Sequence, residues 1–84
     1  MARRKQFGEL AIDLHGMKSE DAVRAVGSTL DRAIFQGFSQ VSILHGLGTG
    51  TLQRAVHGYL ELGEYPVQKF YLDPFNPGRT IVLL

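Results

Sequence analysis

The chain has 84 residues, of which 44% are hydrophobic and 20% are charged, and its formal net charge is +1. This length and composition fit one small globular domain and exclude a disordered chain. The chain contains no cysteine, which excludes disulfides and thiolate metal sites. Its apolar runs fall well short of the roughly 18 residues that a membrane span needs, so we expect a cytoplasmic protein with no membrane partner.

The chain begins with a basic cluster formed by Arg3, Arg4 and Lys5. Chain ends of this kind are commonly frayed, and no apolar segment follows that would make a signal peptide. We therefore expect a flexible basic tail over residues 1–8 and one domain over residues 9–84.

Apolar and polar residues alternate over residues 9–14, which predicts a first strand. The sequence HGMK predicts a turn, and Ser19 is the predicted N-cap of the helix that follows. Apolar residues then recur at helical spacing up to a stop at Gly37. The predicted inward stripe of this helix consists of Val23, Val26, Leu30, Ala33 and Ile34.

The second half of the chain continues with the same two kinds of element. Residues 40–45 predict a second strand, and the apolar spacing after the glycine-rich stretch predicts a second helix that ends at Gly63. Residues 67–72 predict a third strand and residues 80–84 a fourth. The segment DPFNPGR between them is predicted to be a loop, because it contains two prolines and a glycine.

This order, β-α-β-α-β-β, predicts an α/β two-layer sandwich with a mixed four-stranded sheet and two helices on one face. The first three strands should run parallel, because strand–helix–strand crossovers are right-handed. The last two strands, joined directly by a loop, should be antiparallel.

Two polar motifs follow the carboxyl ends of the first two predicted strands, where open α/β sheets bind their ligands. The first strand ends in IDLHG and the second in ILHGLGTG. Asp13 and His15 fall on one side of the first strand, and His45 ends the second. We expect these three side chains to converge as candidate catalytic groups. The alternatives are structural: Asp13 capping the HGMK turn, and each histidine bonded to a backbone carbonyl.

The stretch HGLGTG leads directly into the second predicted helix. Its backbone N–H groups form a candidate phosphate site, since helix N-termini and glycine-rich turns bind anions. A plain tight turn is the alternative. The candidate binding residues here are Gly46, Gly48, Thr49, Gly50 and Arg54. Arg54 is placed to reach a phosphate, or is an ordinary surface arginine, and His57 is predicted to be solvated on the polar side of the helix.

The sequences IDLHGMKSEDA and ILHGLGTGTL, separated by one helix and one strand, resemble the two motifs of the small MutS-related (Smr) domain, and the similarity extends over residues 10–84. The resemblance implies the β-α-β-α-β-β fold and nucleic acid as partner, with DNA expected ahead of RNA. It further implies DNA nicking linked to recombination and repair, or RNA cleavage in ribosome rescue. It also implies a place within a larger MutS-like ATPase, near the nucleoid in a bacterium.

By this resemblance, Asp13 and His15 match the first motif, and His45 with Gly46, Gly48 and Gly50 matches the second. The family often has Lys or Arg between the first two glycines, where this chain has Leu47. Arg79, in the loop before the last strand, is the candidate replacement for this cation.

The expected chemistry is phosphodiester cleavage with one metal ion or none. Two-metal nucleases need several clustered carboxylates, and Asp13 is the one carboxylate at the predicted site. Asp13 is therefore the candidate ligand of a single Mg²⁺ or Mn²⁺. Otherwise His15 and His45 act as general base and acid. Two competing hypotheses are a nucleic-acid-binding module without catalysis and a protein-interaction domain that uses the open face of the sheet.

Overall fold

The computed structural model describes residues 6–84. The basic cluster at residues 3–5 lies outside the described residues, so the flexible tail and the domain boundary at residue 9 stay predictions. The first strand already includes Gln6. The elements in chain order are β1 (Gln6–Asp13), α1 (Ser19–Gln36), β2 (Phe38–Leu44), α2 (Thr51–Glu61), β3 (Lys69–Asp73) and β4 (Asn76–Leu83).

The four strands form one sheet in the order β1-β2-β4-β3. β1 and β2 pair in parallel, with Asp13 opposite Leu44 at the end of both strands. β4 lies between β2 and β3 and is antiparallel to each of them. The first three strands therefore share one direction, and the predicted two-layer fold is confirmed.

The core lies between the helices and the helix-facing side of the sheet. β1 contributes Leu10 and Ile12, as the alternation predicted, while Glu9, Ala11 and Asp13 are exposed. The buried hydrophobic residues of this cluster are Leu14, Ala22, Val26, Leu30, Ala33, Val41, Ile43, Val56, Leu60 and Val82. No helix within the described residues is long and apolar enough to cross a membrane.

α1 begins and ends for different reasons. Its predicted N-cap, Ser19, is wrong by one residue. Met17 N–H donates to the Leu14 carbonyl and closes the preceding turn early, so Lys18 is the last extended residue and Ser19 is already helical. Gly37 ends the helix as predicted, with φ of 83° and its N–H directed at the last carbonyls.

The buried stripe of α1 differs slightly from the prediction. Ile34 is 39% exposed, at the rim of the stripe, whereas Ala22 and Thr29 are buried. The Thr29 hydroxyl donates to the Ala25 carbonyl at 2.9 Å, which is how a polar residue is accommodated on this face.

The predicted loop over residues 73–79 is wrong, because β4 begins at Asn76. Asp73 pairs with Asn76, and the next pair along is Leu72 with Thr80. The three residues 77–79 thus form a bulge opposite β3. Pro77 is tolerated there because a bulged residue needs no ladder N–H.

Candidate functional site

The first motif forms a tight turn at the end of β1. Asp13 Oδ1 accepts the backbone N–H of His15 at 2.9 Å, and Gly16 completes the turn with φ of 77°. The capping alternative for Asp13 is therefore present in the structure. Both side chains are exposed. Asp13 Oδ2 and the His15 imidazole have no hydrogen-bond partner among residues 6–84, so both are free to act on a ligand.

The second motif forms a loop, residues 45–50, that we call the glycine loop. Gly46, Gly48 and Gly50 all have positive φ, at 79°, 34° and 82°. A Cβ added at Gly46 or Gly48 meets no atom within 4 Å, so the space above the loop backbone is open. Backbone conformation therefore requires these glycines. The Gly46 and Gly50 N–H groups donate to the Gly78 and Leu47 carbonyls, whereas the Gly48 and Thr49 N–H groups have no acceptor among the described residues.

α2 starts directly from the glycine loop. Gly50 is its N-cap residue and provides no side-chain cap. The Thr51 N–H reaches the Thr49 hydroxyl at 3.4 Å, and the Leu52 and Gln53 N–H groups have no acceptor among the described residues. Thr49 and Thr51 bond to each other through their hydroxyls at 2.7 Å. The loop and the first turn of α2 enclose a concavity of about 150 Å³. Such an arrangement of N–H groups favours an anion.

A second concavity, which we call the motif cleft, lies between the two motifs and has a volume of about 210 Å³. Asp13 and His15 line one side of it, and Gly46 and Leu47 line another. The start of β4 closes it with Asn76 and Gly78. The carboxylate and imidazole of the first motif and the glycine loop are thus brought to one end of the sheet.

His45 also borders this cleft, but its imidazole is turned into the protein and the residue is only 6% exposed. Its Nδ1 lies 2.9 Å from the Gly46 carbonyl oxygen, which can only accept, so Nδ1 carries the hydrogen. In the neutral ring Nε2 then accepts from the Thr80 hydroxyl at 2.8 Å. The Thr80 oxygen in turn accepts from His57 Nε2 at 2.7 Å.

The prediction that His57 is solvated is wrong. The ring is half-buried and meets Phe70 edge-on, with 5.0 Å between ring centroids. Burial lowers the pKa of His57 below its ordinary 6.5, His45 lowers it further, and Glu61 opposes both. The helical spacing predicted that His57 lies on the polar side of α2. In the structure His57 instead faces Phe70 of β3 and Thr80 of β4.

The two candidate arginines are in different situations. Arg54 is exposed, and one of its guanidinium nitrogens lies 3.2 Å from where a Cβ on Gly50 would stand, so it lies beside the glycine loop. Arg79 is bound to Asp73, with Nε 2.9 Å from Oδ2, and lies 3.9 Å from Glu9. Arg79 thus lies on the face of the sheet opposite the helices, in register with Leu44 and Asp13, and Asp73 balances its charge.

Three residues of the site were not found from the sequence, namely Asn76, Gly78 and Thr80. The Gly78 carbonyl accepts the backbone N–H groups of both His45 and Gly46 at 3.0 and 2.9 Å, and so holds the start of the glycine loop against β4. Asn76 Oδ1 accepts the Gly78 N–H. Asn76 and Gly78 were missed because the sequence is typical of a loop there, and Thr80 because its partners His45 and His57 come from other elements.

The described residues contain no group of three or more His, Asp or Glu side chains that could hold a metal ion. The one carboxylate lining the motif cleft among the described residues is Asp13, one of whose oxygens already accepts the His15 N–H. Its oxygens fit a single Mg²⁺ or Mn²⁺ completed by water and substrate phosphate, and they do not fit a two-metal centre.

A comparison with known protein families shows which family has this arrangement. The sequence profile of the Smr domain matches residues 12–84. The chain belongs to the Smr domain family. It is 38% identical over 72 residues to the protein named Endonuclease MutS2 of Clostridium botulinum, which covers 86% of this chain and 9% of that protein. It is 43% identical over 58 residues to Endonuclease MutS2 of Brevibacillus brevis, covering 69% and 7%.

This Smr domain therefore spans less than a tenth of the length of those relatives. Among solved structures it resembles the Smr domain of Thermus thermophilus MutS2, with a TM-score of 0.84 at 32% identity, over 89% of this chain and 96% of that one. It also shares the fold of YdaL, a stand-alone small MutS-related protein from Escherichia coli, with a TM-score of 0.73 at 24% identity, over 88% and 63%.

Proposed function

We propose that this Smr domain binds the phosphate backbone of nucleic acid in the motif cleft and nicks it as an endonuclease, with DNA the first substrate to test. The observation that carries the proposal is the meeting of a free carboxylate oxygen of Asp13 and a free imidazole of His15 with the glycine loop in one cleft. The relatives named Endonuclease MutS2 support the reaction class.

Binding rests on the backbone rather than on a cluster of cations. The unpaired N–H groups of Gly48, Thr49 and the first turn of α2 hold one phosphate in the concavity at the start of α2, which shares Gly46 and Leu47 with the motif cleft. Arg54 beside Gly50 adds a positive charge there. Because these contacts involve phosphate and main chain, they position the strand without reading its sequence.

Cleavage rests on the first motif. A water molecule attacks the phosphorus, its proton passes to the His15 imidazole, and the leaving oxygen takes a proton from solvent as the P–O bond breaks. On RNA the 2′-hydroxyl replaces water as nucleophile. Asp13 holds the His15 backbone through Oδ1, and its second oxygen has no hydrogen-bond partner among the described residues. A single Mg²⁺ or Mn²⁺ on that oxygen would neutralise charge on the phosphate.

His45 has a different role in this proposal. Both of its ring nitrogens are engaged within the protein, so it positions the Gly46 carbonyl and the loop instead of transferring the proton. In the same way, Arg79 stabilises the sheet through Asp73 rather than the leaving group.

The test is a nicking time course on supercoiled plasmid beside a gel shift, each with Mg²⁺, Mn²⁺ or EDTA. His15→Ala is the informative variant, because Asp13 bonds the His15 backbone and not its ring. We expect cleavage to fall by roughly 10²- to 10⁴-fold with binding unchanged, the usual share of a positioned acid or base. The exposed Glu64→Ala, beyond the far end of α2, is the matched control and should cut at the wild-type rate.

Binding without nicking under all three conditions would contradict the enzyme and favour a nucleic-acid-binding module without catalysis. Two observations support this second candidate: Leu47, 65% exposed, occupies the loop position between the first two glycines, and Arg79 is already paired. If His15→Ala instead nicks DNA at the wild-type rate, the first motif takes no part in cleavage.

A further inference from the structure

The most exposed large hydrophobic side chain of the described residues is Phe75, at 95%. It lies in the turn of the β3–β4 hairpin, whose residues 73–78 we call the hairpin tip. Soluble domains expose single hydrophobic residues without consequence, so exposure alone assigns nothing. The surroundings of Phe75 are what distinguish it.

The hairpin tip is built to hold its conformation. Asp73 Oδ1 accepts the Phe75 N–H at 2.8 Å, and Asn76 Oδ1 accepts the Gly78 N–H at 3.0 Å. Pro74 precedes Phe75 and Pro77 follows two residues after it, and the proline rings fix φ at both positions. Asp73 is buried, with 7% of its surface exposed, and its carboxylate accepts a hydrogen bond from Arg79 of β4. An aromatic ring is thereby presented to solvent on a rigid support.

The tip borders the motif cleft. Asn76, the residue after Phe75, lines that cleft together with Gly78. Across the cleft, the glycine loop contributes Leu47, which is itself 65% exposed. Leu47 thus lines the cleft in which the proposed function puts the phosphate backbone, and Phe75 stands next in the chain to Asn76 at its edge.

Charge near the cleft is too sparse to provide affinity through phosphate contacts alone. The net charge of the chain is +1, and of the two candidate arginines only Arg54 is unpaired within the described residues. Phosphate contacts made by one cation give weak and salt-sensitive binding. Proteins that bind single strands add stacking of bases on aromatic rings, which accepts any base.

We propose that Phe75 is a stacking site for an unpaired nucleobase beside the phosphate held in the motif cleft, so that the substrate class is single-stranded or locally unpaired nucleic acid. A base within a duplex has both faces covered by its neighbours, so the ring can stack only on a base that is unpaired or extruded. This proposal rests on the proposed function and adds to it the strand state that the site selects.

The test measures fluorescence anisotropy of a labelled single-stranded oligonucleotide and of the same sequence as a blunt duplex, at two salt concentrations. Phe75→Ala should weaken single-strand binding by about 5- to 150-fold, the usual effect of losing one stacked base, and leave duplex binding unchanged. The salt slope should not change, because no phosphate contact is lost. Phe75→Trp, which keeps an aromatic ring, should bind the single strand as the wild type does.

Leu62→Ala is the matched control, since Leu62 is 69% exposed but follows α2 at the end away from the glycine loop. It should bind as the wild type does. Circular dichroism should show all variants folded, because Phe75 supports no core contact.

Equal losses for single strand and duplex would overturn the proposal, and so would a Phe75→Ala variant that binds like the wild type. If that variant nicks normally, only the stacking site fails. If the wild type binds neither substrate, the proposed function fails with it. A variant that changes only self-association in sedimentation velocity would assign the ring to a protein contact and overturn the stacking site.

Discussion

Glycine serves two physical purposes around the motif cleft. Gly46 and Gly48 have positive φ but open space where a Cβ would stand. Gly78 has an ordinary extended backbone, yet a Cβ there would lie 3.3 Å from both the Gly46 Cα and Asn76 Oδ1. The loop glycines are therefore required by conformation, and Gly78 by the close approach of β4 to the loop.

At the residue scale, we predict that Gly78→Ala destabilises the domain and shifts the glycine loop. The added methyl presses on backbone atoms of Gly46, which cannot swing aside as a flexible side chain does. Overpacking of this kind costs roughly 1–3 kcal/mol. Urea unfolding followed by circular dichroism measures the change in free energy of unfolding.

Gly58→Ala is the control for this experiment. Gly58 lies inside α2, and a Cβ there meets no atom within 4 Å. Alanine in a helix interior is favoured over glycine by roughly 0.5–1 kcal/mol, so this variant should be more stable than the wild type. If Gly78→Ala is as stable as Gly58→Ala, β4 does not pack on the loop as described.

At the scale of elements, Thr80 connects β4 to α2 and to the end of β2. Thr80 of β4 bonds His57 of α2 and His45 at the end of β2, and His45 bonds the Gly46 carbonyl. The chain of hydrogen bonds fixes which ring nitrogens carry hydrogen, and it couples the helix to the glycine loop through buried groups.

This arrangement predicts a pH dependence of stability. The pKa of His57 is lowered on folding, chiefly by burial and then by His45, with Glu61 opposing. The unfolded chain therefore takes up a proton at His57 more readily than the folded domain does. The free energy of unfolding should be greatest above the ordinary value of 6.5 and should fall as the pH drops below it toward the folded pKa.

The measurement is urea unfolding between pH 5 and 8 for the wild type and for His57→Gln. Glutamine keeps an N–H donor for Thr80 but does not titrate, so subtracting the two profiles isolates His57 from the other histidines and the carboxylates. We expect the difference to vary with pH only below about 6.5, the unperturbed pKa of histidine. Parallel profiles over the whole pH range would show that the pKa of His57 is not lowered on folding.

At the scale of the whole molecule, local patterns in the sequence were sufficient to predict the order of helices and strands along the chain and the directions of the strands. Alternation set the faces of β1, and Gly37 and Gly63 end their helices with positive φ, as predicted. The start of β4 was not predictable, because residues 77–79 bulge against β3 and are held only by the pairing of Arg79 with Leu44 and by bonds to the Gly78 carbonyl. That pairing is long-range, and proline with glycine suggests a loop locally.

The candidate site divides in the same way. Asp13, His15 and the glycine loop meet because β1 and β2 are parallel neighbours, which the motif positions predicted. The environment of His57 was missed because it is made by Thr80, 23 residues later in the chain. The pairing of Arg79 with Asp73 was missed because both residues were placed in a loop. Side-chain partners from distant elements leave no periodic signal.

The distribution of polar groups gives the two faces of the sheet different characters. The face opposite the helices carries Glu9, which accepts from Gln40 at 2.6 Å and lies 3.9 Å from Arg79. These groups satisfy one another. The motif cleft, in contrast, presents an unpaired imidazole and an unpaired carboxylate oxygen within the described residues. We therefore expect a ligand to bind at the end of the sheet and not on its open face.

The central claim is that the two motifs form one site for nucleic acid, and amide chemical shifts test it most directly. A domain of this size, labelled with ¹⁵N and titrated with a short single-stranded oligonucleotide, should show shifts at the N–H groups of His15, Gly46, Gly48 and Gly50. Gly37 and Gly63, which share the positive φ but lie away from the cleft, should not move. Shifts confined to the open face around Glu9 and Gln40, with the glycine loop unchanged, would contradict it.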